Sequence, residues 1–217
     1  AADVGGRFDG ELQVLENWSS EEDAATALAG FGVTHDVRFE PVREATVYGP
    51  DRQPHTVSGS RPLAYLVERG HRAGALDRSL RDLALAAGAE FRFGQRVDHS
   101  DARHVVVATG PRGADARVER VAFETDHPDA VVGFIDEHLA PGGYASLLVR
   151  DGRAALSVWL FDPAAQACKP GTYVDRALDA VGEVTGCDVR SPRRSGGVVS
   201  FSVAPPYSRS GRLRFVG

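Results

Sequence analysis

The stretch that decides the fold is FRFGQRV at Phe91–Val97, followed by HVVVATGPR at His104–Arg112. The run Val105–Ala108 is apolar and mostly β-branched, which is typical of a strand buried on both faces. It ends at Thr109 and Gly110, where a small hydroxyl residue and a glycine allow a tight turn and the close approach of a bulky ligand. Open α/β sheets bind ligands at the carboxyl ends of their strands, so this stretch predicts a binding site beside Thr109.

The segment before this strand, LDRSLRDLALAAGAEFRF, predicts an amphipathic helix that leads into a second strand. Apolar residues at three- and four-residue spacing form one face, and charged residues are expected to point away from it. The apolar set is Leu76, Leu80, Leu83 and Ala87, and the charged set is Arg78, Arg81 and Asp82. Gly88 is placed to cap the helix, and Ala89–Phe93 alternates like a strand.

Together these elements resemble the FAD-dependent oxidoreductases of the geranylgeranyl reductase family, within the p-hydroxybenzoate hydroxylase-like flavoproteins. The family pattern is a strand, an arginine, a Leu/Phe-Asp pair, Leu, Ala, Gly-Ala, a strand and Ala-x-Gly. The matching segments here are AYLVERG, Leu76-Asp77, Leu80, Ala84, Gly88-Ala89 and Ala108-Thr109-Gly110. The opening GGRFDGELQVLENWSSEEDA and the closing LRFVG are also similar to family segments, so the resemblance covers nearly the whole chain.

The resemblance implies an FAD cofactor and a set of residues beside it. Arg69 would end the strand that approaches the cofactor, although a role as a surface salt-bridge former is equally supported. Val97 would place a main-chain amide against the adenine, and Ala108, Thr109 and Gly110 would pass beside the cofactor. The isoalloxazine performs the electron transfer in such enzymes, so no catalytic side chain is assigned.

One family feature is missing, the G-x-G-x-x-G turn whose helix start holds the FAD pyrophosphate. The pairs Gly5-Gly6 and Gly142-Gly143 do not stand between a buried strand and a helix start. The sequence also has no methionine and ends at Gly217, where the second flavin motif of the family would begin. We therefore expect an internal fragment of an enzyme, inactive alone and unable to retain FAD.

The pattern predicts an α/β (α+β) fold, with a partial FAD-binding Rossmann-like domain and an inserted antiparallel substrate sheet. We assign residues 1–34, 63–116 and 211–217 to the first domain, and residues 35–62 and 117–210 to the second. A helix at Ala24–Ala29, capped by Ser19 or Ser20, and a strand at Leu63–Val67 are expected in the first domain.

In the second domain, alternation predicts a series of strands. A stripe of Val174, Ala177, Leu178 and Val181 on one face predicts one helix, Tyr173–Val184. The strands are His35–Val42, Glu44–Tyr48, His55–Ser58, Val118–Thr125, Val131–Leu139, Tyr144–Val149, Ala154–Phe161 and Gly197–Ala204. Asp151-Gly152 predicts a two-residue hairpin turn, because this pair accepts positive φ angles. The basic stretch Arg190–Gly197 is interpreted as a solvated loop.

Four aromatic residues are candidate walls of a substrate pocket: Trp18, Tyr144, Trp159 and Phe201. Large aromatic side chains on strands are also common core residues, so simple packing is the alternative for each of them.

Composition and motifs exclude several other classes. A formal charge of -5 argues against nucleic-acid binding, and no apolar run is long enough to span a membrane. No targeting signal opens the chain, so we expect a cytoplasmic protein; the sequence is neutral on peripheral membrane contact. Cys168 and Cys187 lack metal or redox spacing, and the group Asp98, His99, Asp101 and His104 is interpreted as a solvated turn, so no metal is expected.

Three functions remain open from the sequence. The first is an FAD-dependent reductase acting on a hydrophobic small molecule, with an isoprenoid double bond as the suggested target. The second is a flavin monooxygenase, and the third is a non-catalytic domain that binds a small molecule. A G-x-G-x-x-G turn upstream in the coding sequence would favour the enzymes over the binding domain.

Overall fold

A computed structural model describes residues 3–6, 8, 10–33, 36–95, 102–108 and 114–200, and the backbone of residues 213–215. Within these ranges the strands are β1 (Leu12–Glu16), β2 (Glu40–Val42), β3 (Glu44–Tyr48), β4 (Pro54–Ser58), β5 (Ala64–Glu68), β6 (Val105–Val107), β7 (Ala116–Glu124), β8 (Ala130–Phe134), β9 (Tyr144–Arg150), β10 (Arg153–Leu160), β11 (Arg190–Val199) and β12 (Leu213–Phe215). The helices are α1 (Ala24–Gly30), α2 (Leu76–Ala86), α3 (Pro163–Gln166) and α4 (Thr172–Thr185).

The largest element is a seven-stranded sheet with the strand order β11-β7-β10-β9-β8-β3-β4. Its neighbours are antiparallel, except that β3 lies parallel to β8. The predicted hairpin between β9 and β10 is confirmed: Asp151 and Gly152 have φ angles of 48° and 72°. Positive φ at both central residues gives the turn a twist that matches the flanking strands.

Helix α4 covers one face of this large sheet. The predicted helical stripe is confirmed, because Val174, Ala177 and Val181 are buried against sheet residues such as Leu147 and Leu156. This cluster is the main hydrophobic core of the described chain. Helix α4 therefore covers one face of the large sheet, and the opposite face packs against a second layer.

The second layer is a three-stranded sheet with the order β1-β5-β2. Leu12 and Leu66 on this small sheet pack against Leu148, Ala155 and Val131 on the large one. On its outer face, Val67 of β5 and Leu15 of β1 pack with residues from α1, the start of α2 and the loop before β2, which are Leu28, Val33, Val37, Phe39 and Leu76. The molecule is thus layered as helix, large sheet, small sheet and helices.

Strand β2 comes from segment 35–62, which the sequence assigns to the substrate domain, yet it pairs with β5 in the small sheet. Strands β3 and β4 of the same segment join the large sheet. The division of the chain into two domains stays a prediction.

The strand predicted at Val105–Ala108 is present as β6, but the prediction that it is buried is wrong. Strand β6 pairs in parallel with β12, as strands of a nucleotide-binding sheet do. Val106 is 63% exposed and Ala108 is also exposed, because β6 has only β12 as a neighbour in the described chain and joins none of its hydrophobic clusters.

Two expectations around α2 are also wrong. Ala89–Phe93 forms no strand, because no partner strand lies beside it in the described chain; Phe91 and Phe93 stack on each other at 5.8 Å instead. Leu80 and Leu83 are exposed, and Arg81 does not point freely into solvent. Its guanidinium binds Asp3 and Asp82, so pairing with carboxylates overrides the simple helical pattern.

Several predicted boundaries shift for local reasons. The cap of α1 is Asp23 rather than a serine, since its carboxylate accepts the N–H groups of Ala25 and Thr26. Strand β8 stops at Phe134, where the following Asp136 carboxylate accepts the N–H of His138 and forms a turn. The β2 strand begins only at Glu40.

The stretch Arg190–Gly197 is exposed as expected but is not a loop. It forms most of β11, the edge strand paired with β7. Exposed arginines suit an edge strand, because charge discourages pairing with another chain. The last predicted strand therefore begins earlier than Gly197, and residues 201–210 lie outside the described chain.

Candidate functional site

The inner face of the large sheet, which is opposite α4, is organised in rows that run across the strands. One row is apolar and is covered by the small sheet: Val131, Leu148, Ala155 and Ala122. The next row is polar: Gly133, Ser146, Ser157, Arg120 and Ser195. The third row carries Tyr144, Trp159 and Val118. The face therefore changes from covered and apolar to open and aromatic.

The aromatic pair is the main feature of the open end. The rings of Tyr144 and Trp159 stack with centroids 5.8 Å apart and planes inclined by 18°. Tyr144 is 42% exposed and Trp159 is half-buried. Two nearly parallel rings, open on one side, form a flat apolar surface suited to a flat or unsaturated ligand.

Strand β1 of the small sheet passes over this part of the face. It lies against β9 and β10, and alternation puts Val14 and Glu16 on the same side as buried Leu12. Both residues are exposed, as Tyr144 is, so this end of the face between the two sheets is open to solvent. Burial, and then the negative charge of Glu16, raise the pKa of the Tyr144 hydroxyl.

The polar row is tied to the small sheet by a buried ion pair. Arg120 Nη1 donates to Glu11 Oε2 at 2.6 Å, and Arg120 Nε donates to Ser157 Oγ at 2.8 Å. The other carboxylate oxygen of Glu11 accepts the Ser195 hydroxyl at 3.4 Å. This network holds the start of β1 over the large sheet and neutralises the Arg120 charge.

Arg69 forms the salt bridge that the sequence left as an alternative. Its Nε and Nη2 donate to both carboxylate oxygens of Asp77, at 2.7 and 2.8 Å, and its Nη1 donates to Gln13. The Gly70 N–H also donates to Asp77. Burial alone would raise the pKa of Asp77, but the hydrogen bonds from Arg69 and Gly70 outweigh it and hold that pKa below its usual value.

The structure brings together two of the predicted substrate residues, Tyr144 and Trp159. Trp18 lies elsewhere, 63% exposed in a shallow pocket with Ser19, Ser20, Glu21 and Arg61. Ala108 follows β6 and is exposed. Val97, Thr109, Gly110 and Phe201 lie outside the described residues, so their assigned roles stay predictions.

Sequence reasoning missed Glu11, Glu16, Arg120 and Ser146 as neighbours of the aromatic pair. One signal was available for Arg120, because Glu119-Arg120 places two adjacent charges in the middle of a strand, before the apolar run Val121–Phe123. Two charges inside a buried strand require partners, and alternation sends them to opposite faces. Glu119 indeed caps α4 on the outer face, accepting the N–H groups of Tyr173 and Val174.

The remaining candidate groups have ordinary surroundings. Cys168 and Cys187 are free thiols, and Cys187 is buried beside Thr125. Within the described ranges, no cluster of His, Cys, Asp and Glu could hold a metal ion. None of the helices described is both long and apolar enough to cross a membrane.

The fold is shared with solved structures that include flavin-dependent enzymes. A geranylgeranyl bacteriochlorophyll reductase-like protein from Thermoplasma acidophilum superposes with a TM-score of 0.68 at 17% identity, over 100% of this chain and 62% of that one. The flavin-dependent brominase Bmp2 gives 0.65 at 12% identity, over 99% and 63%.

A third structure with the same fold is the peptidyl tryptophan dihydroxylase QhpG, with a TM-score of 0.56 at 17% identity over 99% of this chain and 53% of that one. The chain thus spans less than two thirds of these neighbours. No family model matches the sequence, and no curated protein matches it. The predicted fold class is confirmed by the structural likeness alone.

Proposed function

We propose that this chain is part of an FAD-dependent oxidoreductase that acts on a hydrophobic small molecule. The observation that carries the proposal is the stacked Tyr144–Trp159 pair, placed at the open end of a sheet face whose other end is sealed by a second sheet. The fold shared with flavin-dependent enzymes supports flavin as the reactive group.

A substrate with a flat ring system would lie between the two sheets. One wall of its site would be the aromatic pair Tyr144 and Trp159, and the other would be Val14 and Glu16 on β1. Arg69 is fully engaged by Asp77 and Gln13, so its proposed role is to hold the end of β5 and the Gly70 turn beside the cofactor rather than to bind it directly.

Bound flavin, once reduced by a donor such as a reduced nicotinamide, would supply a hydride to an unsaturated carbon or, by reaction with oxygen, an oxygenating agent. The chain itself would bind and orient the substrate. Tyr144 and Trp159 offer the flat surface against which an apolar substrate loses its hydration, and the small sheet excludes water from the covered part of the face. Ser146, partly exposed in the adjoining row, offers a hydroxyl to a polar end of the substrate.

An isoprenoid double bond is the proposed target of the reductase form. The flavin monooxygenase is the second candidate, and it is favoured by the fold shared with a dihydroxylase. Oxygen consumption that depends on substrate would identify the monooxygenase, whereas substrate reduction under anaerobic conditions would identify the reductase.

The test uses the natural full-length protein that contains this chain. After saturation with FAD and desalting, we expect flavin absorbance bands and their bleaching by a reduced nicotinamide. Trp159→Leu should raise KM for an apolar substrate about 5- to 10-fold, the effect of losing an aromatic stacking partner, and leave the flavin content unchanged.

The matched control is Phe31→Leu, which removes another aromatic ring at an exposed site at the end of α1. This variant should leave KM unchanged. A protein that binds apolar ligands but takes up no FAD would be the non-catalytic binding domain, and the enzyme proposal would then fail.

A further inference from the structure

Charges between the two sheets are paired in a regular way. Arginines of the large sheet meet glutamates of the small sheet or of the residue just before it. The pairs are Arg120 with Glu11, Arg150 with Glu40, and Arg153 with Glu68. Each pair joins one layer to the other, so the positive charges that point from the large sheet toward the small one are cancelled.

Glu16 breaks this pattern. It stands at the end of β1, on the same side as buried Leu12, and no lysine or arginine pairs with it among the described residues. The large sheet presents Tyr144 and Trp159 at this end instead of an arginine. Among the glutamates described at these positions, Glu16 is therefore the one without an arginine partner, and it lies near enough to Tyr144 for its charge to raise the pKa of the Tyr144 hydroxyl.

We propose that the site between β1 and the aromatic pair takes a ligand that carries a protonated amine next to a flat, unsaturated group. The proposal rests on the binding face described under the proposed function and names the class of substrate for it. Glu16 would receive the ammonium group, and the rings of Tyr144 and Trp159 would contact the unsaturated part and the edge of the cation.

Electrostatics favour this charge over the alternatives. An ammonium group is attracted both by a carboxylate and by the negative faces of aromatic rings. A carboxylate ligand would be repelled by Glu16, and Arg120, the nearest positive charge of the polar row, is already engaged by Glu11 and Ser157. A neutral ligand would keep the ring contacts and lose the charge contribution.

The test compares three probes that share one carbon skeleton: cinnamylamine, cinnamyl alcohol and cinnamate. Calorimetric titration of the full-length protein that contains this chain gives the affinity for each probe. We expect the amine to bind with roughly tenfold higher affinity than the alcohol. Cinnamate should bind most weakly, and added salt should reduce the preference for the amine.

The decisive variant is Glu16→Gln in the same full-length protein. It should remove the preference for the amine while leaving the affinity for cinnamyl alcohol unchanged, because the rings stay in place. The matched control is Glu22→Gln, an exposed glutamate in the loop before α1, which should keep the preference.

Equal affinity of amine and alcohol, tighter binding of cinnamate, or no binding of any probe would overturn the proposal. These outcomes are separate from those of the flavin test. A protein that takes up FAD but shows no amine preference keeps the proposed function and loses this inference. Amine preference without FAD uptake leaves the inference standing and removes the enzyme.

Discussion

Arg120 and Glu11 lie 109 positions apart in the sequence, and their side chains meet at 2.6 Å between the two sheets. Arg120 is 9% exposed and Glu11 is 8% exposed, so water contributes little to the solvation of either charge. Each charge is therefore stabilised by its partner and by the hydroxyls of Ser157 and Ser195. The ion pair fixes how the small sheet sits over the large one.

Breaking this pair should be costly. Glu11→Gln leaves the Arg120 charge buried without its counter-ion, and we expect a loss of about 3–5 kcal/mol in the free energy of unfolding. The exposed pair of Arg92 and Glu90 provides the control, since Glu90→Gln should change the free energy of unfolding much less. Urea denaturation of both variants measures the difference, and similar losses would contradict the role of burial.

Two glycine-to-alanine substitutions should have opposite effects. Gly152 has a φ of 72° in the β9–β10 turn, so alanine there should cost about 1–2 kcal/mol. Gly182 lies exposed within α4 with open space where a Cβ would stand, so alanine should stabilise by about 0.5–1 kcal/mol. Thermal unfolding of the two variants checks the signs, and equal signs would contradict the assigned backbone conformations.

The ion pair of Arg69 and Asp77 should make the free energy of unfolding fall as the pH becomes acidic. The pKa of Asp77 lies below its usual value of 3.8 in the folded chain, so its contribution is complete above that pH and is lost as the pH falls through the lower, folded value. Asp77→Asn should weaken stability at neutral pH and reduce its loss in acid. Denaturation curves from pH 7 to strong acid test this, and Arg69→Gln should behave in the same way.

The two thiols should differ in reactivity. Burial raises the pKa of the Cys187 thiol, which disfavours the reactive thiolate, and its side chain is nearly inaccessible. Cys168 is only partly buried. Iodoacetamide at pH 8, followed by mass spectrometry, should label Cys168 first and Cys187 only after unfolding. Early labelling of Cys187 would show that the core around α4 opens readily.

The local pattern of the sequence was enough to predict the helices, strands and turns that depend on residues close together in the chain. Alternation located most of the strands, helical spacing located α2 and α4, and Asp151-Gly152 determined a turn by its φ preferences alone. The resemblance to flavoproteins predicted the fold class, although none of its motifs is long. The aromatic residues on the predicted strands included Tyr144 and Trp159, which pair because their strands are joined by that turn.

Features that depend on contacts between residues far apart in the sequence could not be predicted in this way. Strand formation at Ala89–Phe93 and burial of β6 both need neighbours on other strands, and the periodicity of a segment carries no information about them. The contacts of Arg81 with Asp3 and of Arg69 with Gln13 also join residues that are far apart in the sequence.

The sequence by itself therefore determined the order and kind of most of the elements and the aromatic character of the candidate site, because φ preferences and the alternation of apolar residues act over a few residues. Only the tertiary structure decided which charges neutralise each other. Glu11, Glu40 and Glu68 form ion pairs with arginines of the large sheet, whereas Glu16 lies near the aromatic pair. Coulomb interactions depend on distances that are created when the two sheets pack together.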